Sequence, residues 1–192
     1  MKKIGFIGVG IMGRSMVRNL MKHGYELHIY ARHPQKVADV VAEGAHFHDT
    51  ITSCVKASEV VITMVGYPSD VEEVYLGENG IFSAAANGTL LIDMTTSSPR
   101  LAKMLYAHGK ARSLAVLDAP VTGGDSGAKA GKLTILVGGE KAAYEQAYPL
   151  FQAMGTHIYY CGEAGRGQHM KLANQIMIAG ALSGVCEALT YA

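Results

Sequence analysis

The sequence has few residues of the kinds that form covalent or metal-bridged scaffolds. Three of its 192 residues are cysteines, Cys54, Cys161 and Cys186, and they form no C-x-x-C pair. The sequence therefore predicts neither a disulfide framework nor a zinc site, and it fits a reducing cytoplasm. The eight histidines are scattered, and the pair His46 and His48 has no second cluster beside it. We predict no metal site.

An excess of charge of one sign is also missing. Seventeen Lys and Arg residues stand against sixteen Asp and Glu residues, for a net charge of +1. Surfaces that bind nucleic acid carry a strong basic excess, so we expect no nucleic-acid partner. No G-x-S-x-G motif occurs, and no Ser, Cys and His pattern indicates a nucleophile.

No segment has the pattern of a signal for export or for membrane insertion. Lys2 and Lys3 lead directly into a strand pattern, without the apolar region and cleavage site of a signal peptide. The longest uncharged stretch near the end, residues 172–186, is shorter than the roughly 20 residues of a membrane-spanning helix. We expect a soluble cytoplasmic protein that makes no membrane contact.

What the sequence does contain is an alternation of short apolar runs with amphipathic segments. Apolar residues make up 49% and charged residues 17%, which is enough apolar material for a full core. Strands are predicted at 3–9, 27–31, 45–47, 60–64, 90–93, 115–118, 133–137 and 157–160. Helices are predicted at 12–23, 34–43, 69–76 with Ser69 as its N-cap, 99–110 and 141–154, and a glycine-rich loop at 123–131.

This alternation predicts an α/β fold. Continuous apolar strands separated by helices are typical of a Rossmann-type, doubly wound and mostly parallel sheet with helices on both faces. The pattern turns helical at about Gly165 and does not stop before Ala192. Small and apolar residues on several sides of that helix indicate neighbours around it. We therefore expect residues 1–164 to form the Rossmann domain, and 165–192 to be an interdomain helix that begins a second, helical domain.

The segment 8–13 (GVGIMG) fits the motif G-x-G-x-x-G, and it follows a predicted strand and opens a predicted helix. Gly8 makes the tight turn, Gly10 lets the backbone approach a pyrophosphate, and Gly13 permits close packing of helix on strand. The N-terminus of the following helix supplies free N–H groups and a partial positive charge, which suit phosphates. Ile11 and Met12 of the same motif are also predicted to contact the cofactor. The motif predicts a dinucleotide site, and glycines in an ordinary turn are the alternative.

The end of the second strand selects the cofactor. An Asp or Glu at this point would bind the ribose hydroxyls of NAD. The sequence has Ala31 and then Arg32, with no carboxylate before Asp39. Because a planar guanidinium suits the additional phosphate of NADP, we predict an NADP-binding domain, with NAD as the second choice. A solvated surface arginine is the alternative interpretation of Arg32.

Two further strand ends lie on the same carboxyl edge of the predicted sheet, where open parallel sheets bind ligands. Met64 and Val65 follow one strand, and Thr95 follows the next. Val65 can pack on a ribose or a ring, and Thr95 can hydrogen-bond the nicotinamide half of the cofactor. Plain loop packing explains these residues equally well.

Two more groups are candidates for the chemistry. Gly123 and Gly124 expose backbone N–H groups that can face a carboxylate, and Thr122 adds a hydroxyl donor, although a flexible turn fits equally. Lys171 and Asn174 are three residues apart on the final helix and share a face. A lysine there can donate a proton to a carbonyl oxygen as hydride arrives, and Asn174 can hold that oxygen. A solvated surface lysine is the alternative.

Four segments together resemble the β-hydroxyacid dehydrogenase family, which includes 3-hydroxyisobutyrate dehydrogenases and tartronate semialdehyde reductases. They are 5–13 (GFIGVGIMG), 118–124 (DAPVTGG), 127–139 (GAKAGKLTILVGG) and 165–175 (GRGQHMKLANQ), and in order they cover essentially the whole sequence. The resemblance implies hydride transfer between NADP(H) and a small β-hydroxy acid or its semialdehyde. It also implies a helical C-terminal domain that closes the substrate pocket, and a homo-oligomer formed through the helical region.

The resemblance implies roles for individual residues. For the cofactor, Gly8, Gly10, Met12 and Gly13 match the nucleotide loop, Arg32 matches the contact to the NADP phosphate, and Val65 and Thr95 match other cofactor contacts. For the substrate, Thr122, Gly123 and Gly124 match the loop that binds the carboxylate. Lys171 matches the catalytic lysine, and Asn174 matches its neighbouring substrate contact. The sequence departs from the family at Thr122, where Ser is commoner, at Gly66, where Pro is usual, and at His33, where Thr is common.

Two other functions are alternatives to such a dehydrogenase: a cofactor-binding module without turnover, and an imine-reducing or 6-phosphogluconate-type relative. Lys171 argues against the first, and the compact loop at Thr122 favours a short carboxylate substrate over the second.

Overall fold

The computed structural model describes residues 2–192, which contain nine strands and nine α-helices. The strands are β1 (Lys3–Ile7), β2 (Glu26–Tyr30), β3 (His46–Phe47), β4 (Val60–Thr63), β5 (Leu90–Asp93), β6 (Ala115–Asp118), β7 (Val121–Thr122), β8 (Leu133–Gly138) and β9 (Gly155–Gly162). The helices are α1 (Ile11–Lys22), α2 (Ala38–Ala42), α3 (Ile51–Lys56), α4 (Pro68–Leu76), α5 (Ile81–Ala84), α6 (Pro99–Lys110), α7 (Gly124–Ala130), α8 (Lys141–Met154) and α9 (Arg166–Tyr191).

All strands belong to one sheet, in the order β3-β2-β1-β4-β5-β6-β8-β7, with β9 paired to β8. The strands from β3 to β6 are parallel, whereas β8 runs antiparallel to β6 and β7 and parallel to β9. The mostly parallel α/β fold predicted from the sequence is confirmed. Because β1 lies between β2 and β4, the strand order reverses at β1, and a ligand crevice is expected outside the carboxyl ends of β1 and β4.

Helices cover both faces of the sheet, and each face has its own apolar core. Met16 and Leu20 of α1 pack with Phe151 of α8 on one face. Tyr75 of α4 and Leu105 of α6 pack on the other. Since β4 and β5 are buried along their whole length, they have no solvent-facing side, which explains why each is apolar up to its last residue, Thr63 or Asp93.

The prediction of a glycine-rich loop at 123–131 is wrong, because residues Gly124–Ala130 form helix α7. Its glycines lie mainly at the ends: Gly123 precedes the helix with φ 129°, and Gly131 ends it in the left-handed conformation. The helix packs on α1, where the Asn19 side-chain amide donates to the Ala128 carbonyl at 2.7 Å. A tertiary contact therefore overrides the low helix propensity of glycine.

Two smaller predictions are also corrected, and three elements, α3, α5 and β7, were not predicted. The helix expected at 34–43 is a 3₁₀ turn, Pro34–Val37, followed by the short helix α2. Ser69 is not an N-cap, because α4 begins at Pro68 and the Asp70 carboxylate accepts the N–H of Tyr67. Helix α3 was not predicted, although Thr50 caps it by accepting the N–H of Ser53.

The final helix, α9, begins as predicted and runs for 26 residues. Beyond its first two turns its apolar side chains are exposed, among them Ile176, Leu182, Val185 and Leu189. Within residues 2–192 it is the one helix long and apolar enough to cross a membrane, and none of the window concerned is buried. The length argument drawn from residues 172–186 therefore does not hold, although length and composition alone are weak grounds for a membrane span.

Candidate functional site

A cavity of about 460 Å³ lies at the carboxyl ends of β1, β2 and β4, where the strand order reverses. Every predicted cofactor residue except Thr95 lines it, namely Gly8, Gly10, Ile11, Met12, Gly13, Ala31, Arg32, Met64 and Val65. The cavity is also lined by two acids of α4, Asp70 and Glu73, which the sequence analysis did not single out. The predicted cofactor residues therefore come together at the position where doubly wound sheets bind a dinucleotide.

The glycines of the 8–13 motif meet distinct structural demands. Gly8 has φ +99°, and a Cβ on it would lie 2.2 Å from the Met64 carbonyl oxygen. A Cβ on Gly13 would lie 2.2 Å from the Gly8 carbonyl oxygen, so helix α1 packs against the strand end only because Gly13 has no side chain. A Cβ on Gly10 would meet nothing within 4 Å. The open space at Gly10 fits its predicted role in close approach of a ligand.

Helix α1 begins at Ile11, directly after Gly10, and no side chain caps it. The free N–H groups of a first helical turn and the helix dipole attract anions. This end of α1 lines the cavity through Ile11, Met12 and Gly13, so the cavity can hold the pyrophosphate of a dinucleotide.

At the other end of the cavity, Arg32 is paired with an acid. Its Nη2 lies 3.1 Å from Oδ1 of Asp70, and the Arg32 side chain is 67% exposed. The solvated-surface interpretation of Arg32 is incomplete, because the guanidinium has this partner and lines the cavity. Lys36 and His33 line the same region. A sequence signal for Asp70 existed, since it follows the carboxyl end of β4 by a few residues.

Thr95 connects two loops instead of lining the cavity. Its hydroxyl accepts the backbone N–H of Val65 at 3.0 Å, and its own N–H donates to Oδ1 of Asp93 at 3.1 Å. Thr95 is buried. These bonds favour the loop-packing interpretation, in which Thr95 fixes Val65 at the cavity wall.

Below this loop lies a buried carboxyl group, Asp93. It accepts a hydrogen bond from the Thr63 hydroxyl at 2.9 Å. Burial raises the pKa of Asp93 to about 6, against the lowering effect of its hydrogen bonds. The loop that carries Thr95 is therefore attached to a group that titrates near neutral pH.

Helix α9 is joined to the same loop through Gln168, which is fully buried. The Gln168 amide donates to the Thr95 carbonyl at 2.7 Å, and its oxygen accepts the Ser97 N–H at 2.9 Å. Asp118, the last residue of β6, accepts the backbone N–H groups of Gly165 at 2.7 Å and of Gln168 at 2.9 Å. Asp118 thus caps α9 from a distance, and burial raises its pKa.

Neither Gln168 nor Asp118 was identified from the sequence. The available signals were weak: Asp118 ends a strand, and Gln168 is a polar residue three positions before Lys171. Together they fix the first turn of α9 against the carboxyl edge of the sheet.

Lys171 lies three residues after Gln168, and the two share the buried face of α9. Lys171 is 6% exposed, and within residues 2–192 its ammonium has no hydrogen bond or ion pair. Burial lowers its pKa. The solvated-surface interpretation of Lys171 is therefore wrong. Asn174 is half-buried, with its amide 3.4 Å from the Gln175 side-chain oxygen, and His169 is exposed.

The predicted substrate loop lies outside the cofactor cavity. Thr122 ends β7, and Gly123 and Gly124 follow with φ 129° and 62°, both in the left-handed region. A Cβ on Gly124 would meet nothing within 4 Å. In the described part of the chain no hydrogen bond joins this loop to Lys171 or Asn174.

The histidines are less scattered than the sequence suggested. His28 and His48 share a hydrogen bond of 2.9 Å, and the His46 ring stacks on His28 with centroids 5.2 Å apart, at the β2–β3 edge. Among residues 2–192, no group of three or more His, Cys, Asp or Glu residues is arranged to hold a metal ion.

Known proteins resemble this chain along its whole length. The family model described as the NAD binding domain of 6-phosphogluconate dehydrogenase matches residues 3–162. The chain is 51% identical over 191 residues to YkwC, an oxidoreductase of Bacillus subtilis, covering 100% of this chain and 66% of the relative. It is 41% identical over 189 residues to an NAD-dependent L-serine dehydrogenase of Pseudomonas aeruginosa, covering 98% of this chain and 63% of the relative.

Among solved structures, 3-hydroxyisobutyrate dehydrogenase of Mycobacterium tuberculosis with L-serine matches with a TM-score of 0.92 and 32% identity. The match covers 98% of this chain, so it extends into α9, and 64% of that protein. The chain thus spans about two thirds of the length of these relatives. The glycine motif at a strand-order reversal, the cavity that it lines and the family match over 160 residues lead to one conclusion: the chain belongs to the β-hydroxyacid dehydrogenase family and carries its nicotinamide-dinucleotide-binding domain.

Proposed function

We propose that the protein transfers a hydride between NADP(H) and a small β-hydroxy acid or its semialdehyde, with Lys171 as the acid and base. One observation carries the proposal: Lys171 is 6% exposed and has no partner, on a helix face that Gln168 attaches to the loop that carries Thr95. Partial desolvation of an ammonium without a counter-charge costs free energy, and groups of this kind concentrate at functional sites. The names of the relatives are consistent with it, because L-serine carries its hydroxyl on the carbon β to the carboxylate.

The cofactor would lie in the cavity, with its pyrophosphate at the first turn of α1 and its adenosine half toward Arg32. When bound, the nicotinamide supplies the hydride for reduction or accepts it in oxidation. NADP is the proposed cofactor because Arg32 follows β2 and Ala31 stands where NAD enzymes place an acid. A Pseudomonas aeruginosa relative is named NAD-dependent, so NAD is the competing choice.

Proton transfer would be the work of Lys171. As hydride reaches the carbonyl carbon, negative charge develops on the oxygen, and the Lys171 ammonium gives it a proton. In the reverse direction the neutral amine takes the hydroxyl proton as the hydride leaves. Burial lowers the pKa of Lys171, which makes its ammonium a better proton donor near neutral pH. Asn174 would hold the same oxygen, and the N–H groups of Gly123 and Gly124 would bind the substrate carboxylate.

The decisive experiment replaces Lys171 with Ala in the protein, assayed with NADPH and a panel of small aldehyde acids. We expect kcat to fall by roughly 10²–10⁴-fold, with an unchanged Kd for the cofactor. The matched control is Lys132→Ala, on an exposed lysine away from the cavity. Near-normal turnover in Lys171→Ala would remove Lys171 from the mechanism and make His169 the next candidate. Cofactor binding without turnover by the unaltered protein would favour a binding module.

A division into a Rossmann domain, 1–164, and an interdomain helix, 165–192, also belongs to this proposal, as do a homo-oligomer formed through the helical region and a cytoplasmic location. The exposed apolar residues of α9 support the oligomer, because exposed apolar surface of this kind marks interaction sites.

A further inference from the structure

We infer that Asp70 sets the cofactor selectivity of this site, by holding Arg32 in an ion pair that an NADP phosphate must break or share. The inference rests on the proposed role of Arg32 in NADP binding. It starts from one contact: Oδ1 of Asp70 lies 3.1 Å from Nη2 of Arg32, and both residues line the cavity.

The two partners differ in how firmly they are held. Asp70 lies in the first turn of α4, where its Oδ2 accepts the Tyr67 N–H at 2.9 Å, and its side chain is 15% exposed. The helix dipole adds to this attachment, since it favours a carboxylate in the first turn. Arg32 is held at its guanidinium by this one ion pair, and its side chain is 67% exposed. A ligand that competes for the pair would therefore move Arg32 and leave Asp70 in place.

The charges around Arg32 sharpen the consequence. A phosphate that reaches Arg32 comes close to the fixed Asp70 carboxylate, and like charges at such distances repel. Glu73, one turn further along α4, lines the same cavity and adds a second negative charge. Lys36 lines the same cavity and brings one positive charge, which offsets part of this repulsion. Arg14 adds nothing further, because it is bound to Asp39 at 3.2 Å and to the Lys36 carbonyl. Asp70 thus repels the NADP phosphate and also orients Arg32, the residue proposed to bind that phosphate.

NAD has no phosphate at this position, so Asp70 does not repel it, and it can bind without breaking the ion pair between Arg32 and Asp70. Removing the charge of Asp70 should therefore strengthen the binding of NADP⁺ and leave that of NAD⁺ nearly unchanged. Asp70→Asn is the appropriate change, because the amide oxygen still accepts the Tyr67 N–H and α4 keeps its cap. We expect NADP⁺ to bind about tenfold more tightly to this variant, with the Kd for NAD⁺ within about twofold of the original.

The experiment is calorimetric titration of the 192-residue chain with NADP⁺ and with NAD⁺, at low and at high salt. The variants are Asp70→Asn, Asp70→Ser as a second capping replacement, Glu73→Gln and Arg32→Ala, and the double variant of Arg32→Ala with Asp70→Asn. Glu73→Gln is the matched control, since it removes one negative charge from the same cavity without freeing Arg32. Thermal unfolding of each variant checks that α4 is intact.

The inference requires three results. Asp70→Asn and Asp70→Ser tighten NADP⁺ more than Glu73→Gln does, and the gain from Asp70→Asn is clearly smaller when Arg32 is already Ala than when Arg32 is present. The gain also shrinks at high salt. Equal gains from Asp70→Asn and Glu73→Gln, or equal gains for NADP⁺ and NAD⁺, would overturn it. If Arg32→Ala weakens NADP⁺ while Asp70→Asn changes nothing, the inference fails alone and the proposed NADP preference stands. If Arg32→Ala leaves NADP⁺ unchanged, that preference fails, and the inference fails with it.

Discussion

Replacing Gln168 tests whether α9 is attached to the loop that carries Thr95 and Ser97, as the structure describes. Gln168→Leu keeps the size of the side chain and removes both of its hydrogen bonds, so the Thr95 carbonyl and the Ser97 N–H lose their partner. Leaving one buried backbone group unsatisfied costs about 1–3 kcal/mol, and two such groups about 2–6 kcal/mol. Against a total free energy of unfolding of about 5–15 kcal/mol, this is a large loss.

The assay is urea denaturation of the 192-residue chain, combined with titration of the cofactor. Because Thr95 also holds the Val65 N–H at the cavity wall, loosening its loop should weaken cofactor binding as well. Asn174→Leu is the control: it removes an amide of the same helix whose hydrogen bond, to the Gln175 side chain, is 3.4 Å long and half-exposed. That change should stay within about 0.5 kcal/mol. A loss below about 1 kcal/mol in Gln168→Leu, or equal losses in the two variants, would refute the reasoning.

Asp93→Asn should remove a pH dependence of stability. Because the pKa of Asp93 is raised to about 6 in the folded chain, the folded state binds its proton more tightly, and the free energy of unfolding falls as pH rises from about 4 to about 6, by about 3 kcal/mol in all. The measurement is the free energy of unfolding of wild type and variant at several pH values, and the same pH dependence in both proteins would contradict this. Gly13→Ala should destabilise the chain by about 1–3 kcal/mol or more and weaken cofactor binding, because its Cβ would press on the Gly8 carbonyl; an unchanged melting temperature would count against that packing. Gly124→Val places a β-branched residue at φ 62° and should raise KM for the acid far more than it alters cofactor affinity, and an unchanged KM would remove the loop from the substrate site. The chain should self-associate through α9, and a monomer in sedimentation with a fully protected α9 in hydrogen exchange would disprove that.

The parts of the fold that the sequence predicted well are those with local causes. Strand β5 and helices α6 and α8 have the predicted bounds, because each has an apolar pattern of one period, and α6 also has Pro99 in its first turn and Ser98 as its cap. The motif at 8–13 is local in the same sense. Its three glycines specify a turn and a close approach that few other residues permit, so the position of the cavity follows from the sequence alone.

The predictions that failed concern parts of the structure that depend on contacts between distant segments. Helix α7 has poor helix formers, and its packing on α1 through Asn19 decides its conformation. Asp70, Asp118 and Gln168 are ordinary polar residues in the sequence. Their importance comes from partners that are 38, 47 and 73 positions away in the chain. The local signals, such as the position of Asp118 at a strand end, do not indicate a partner at such a separation, so the partners of these residues were identified only in the folded chain.

The position of Lys171 illustrates how the two kinds of information combine. Its spacing from Asn174 indicated a shared helix face, but spacing alone leaves a surface lysine as the more common explanation. Burial of Lys171 follows from Asp118 and Gln168, which hold the first turn of α9 against the sheet edge. Since Gln168 bonds the loop whose Thr95 fixes Val65, the lysine and the cofactor cavity are attached to one rigid edge of the sheet. A hydride donor and a proton donor that act on neighbouring atoms need such a common support, because small displacements of either group are costly to catalysis.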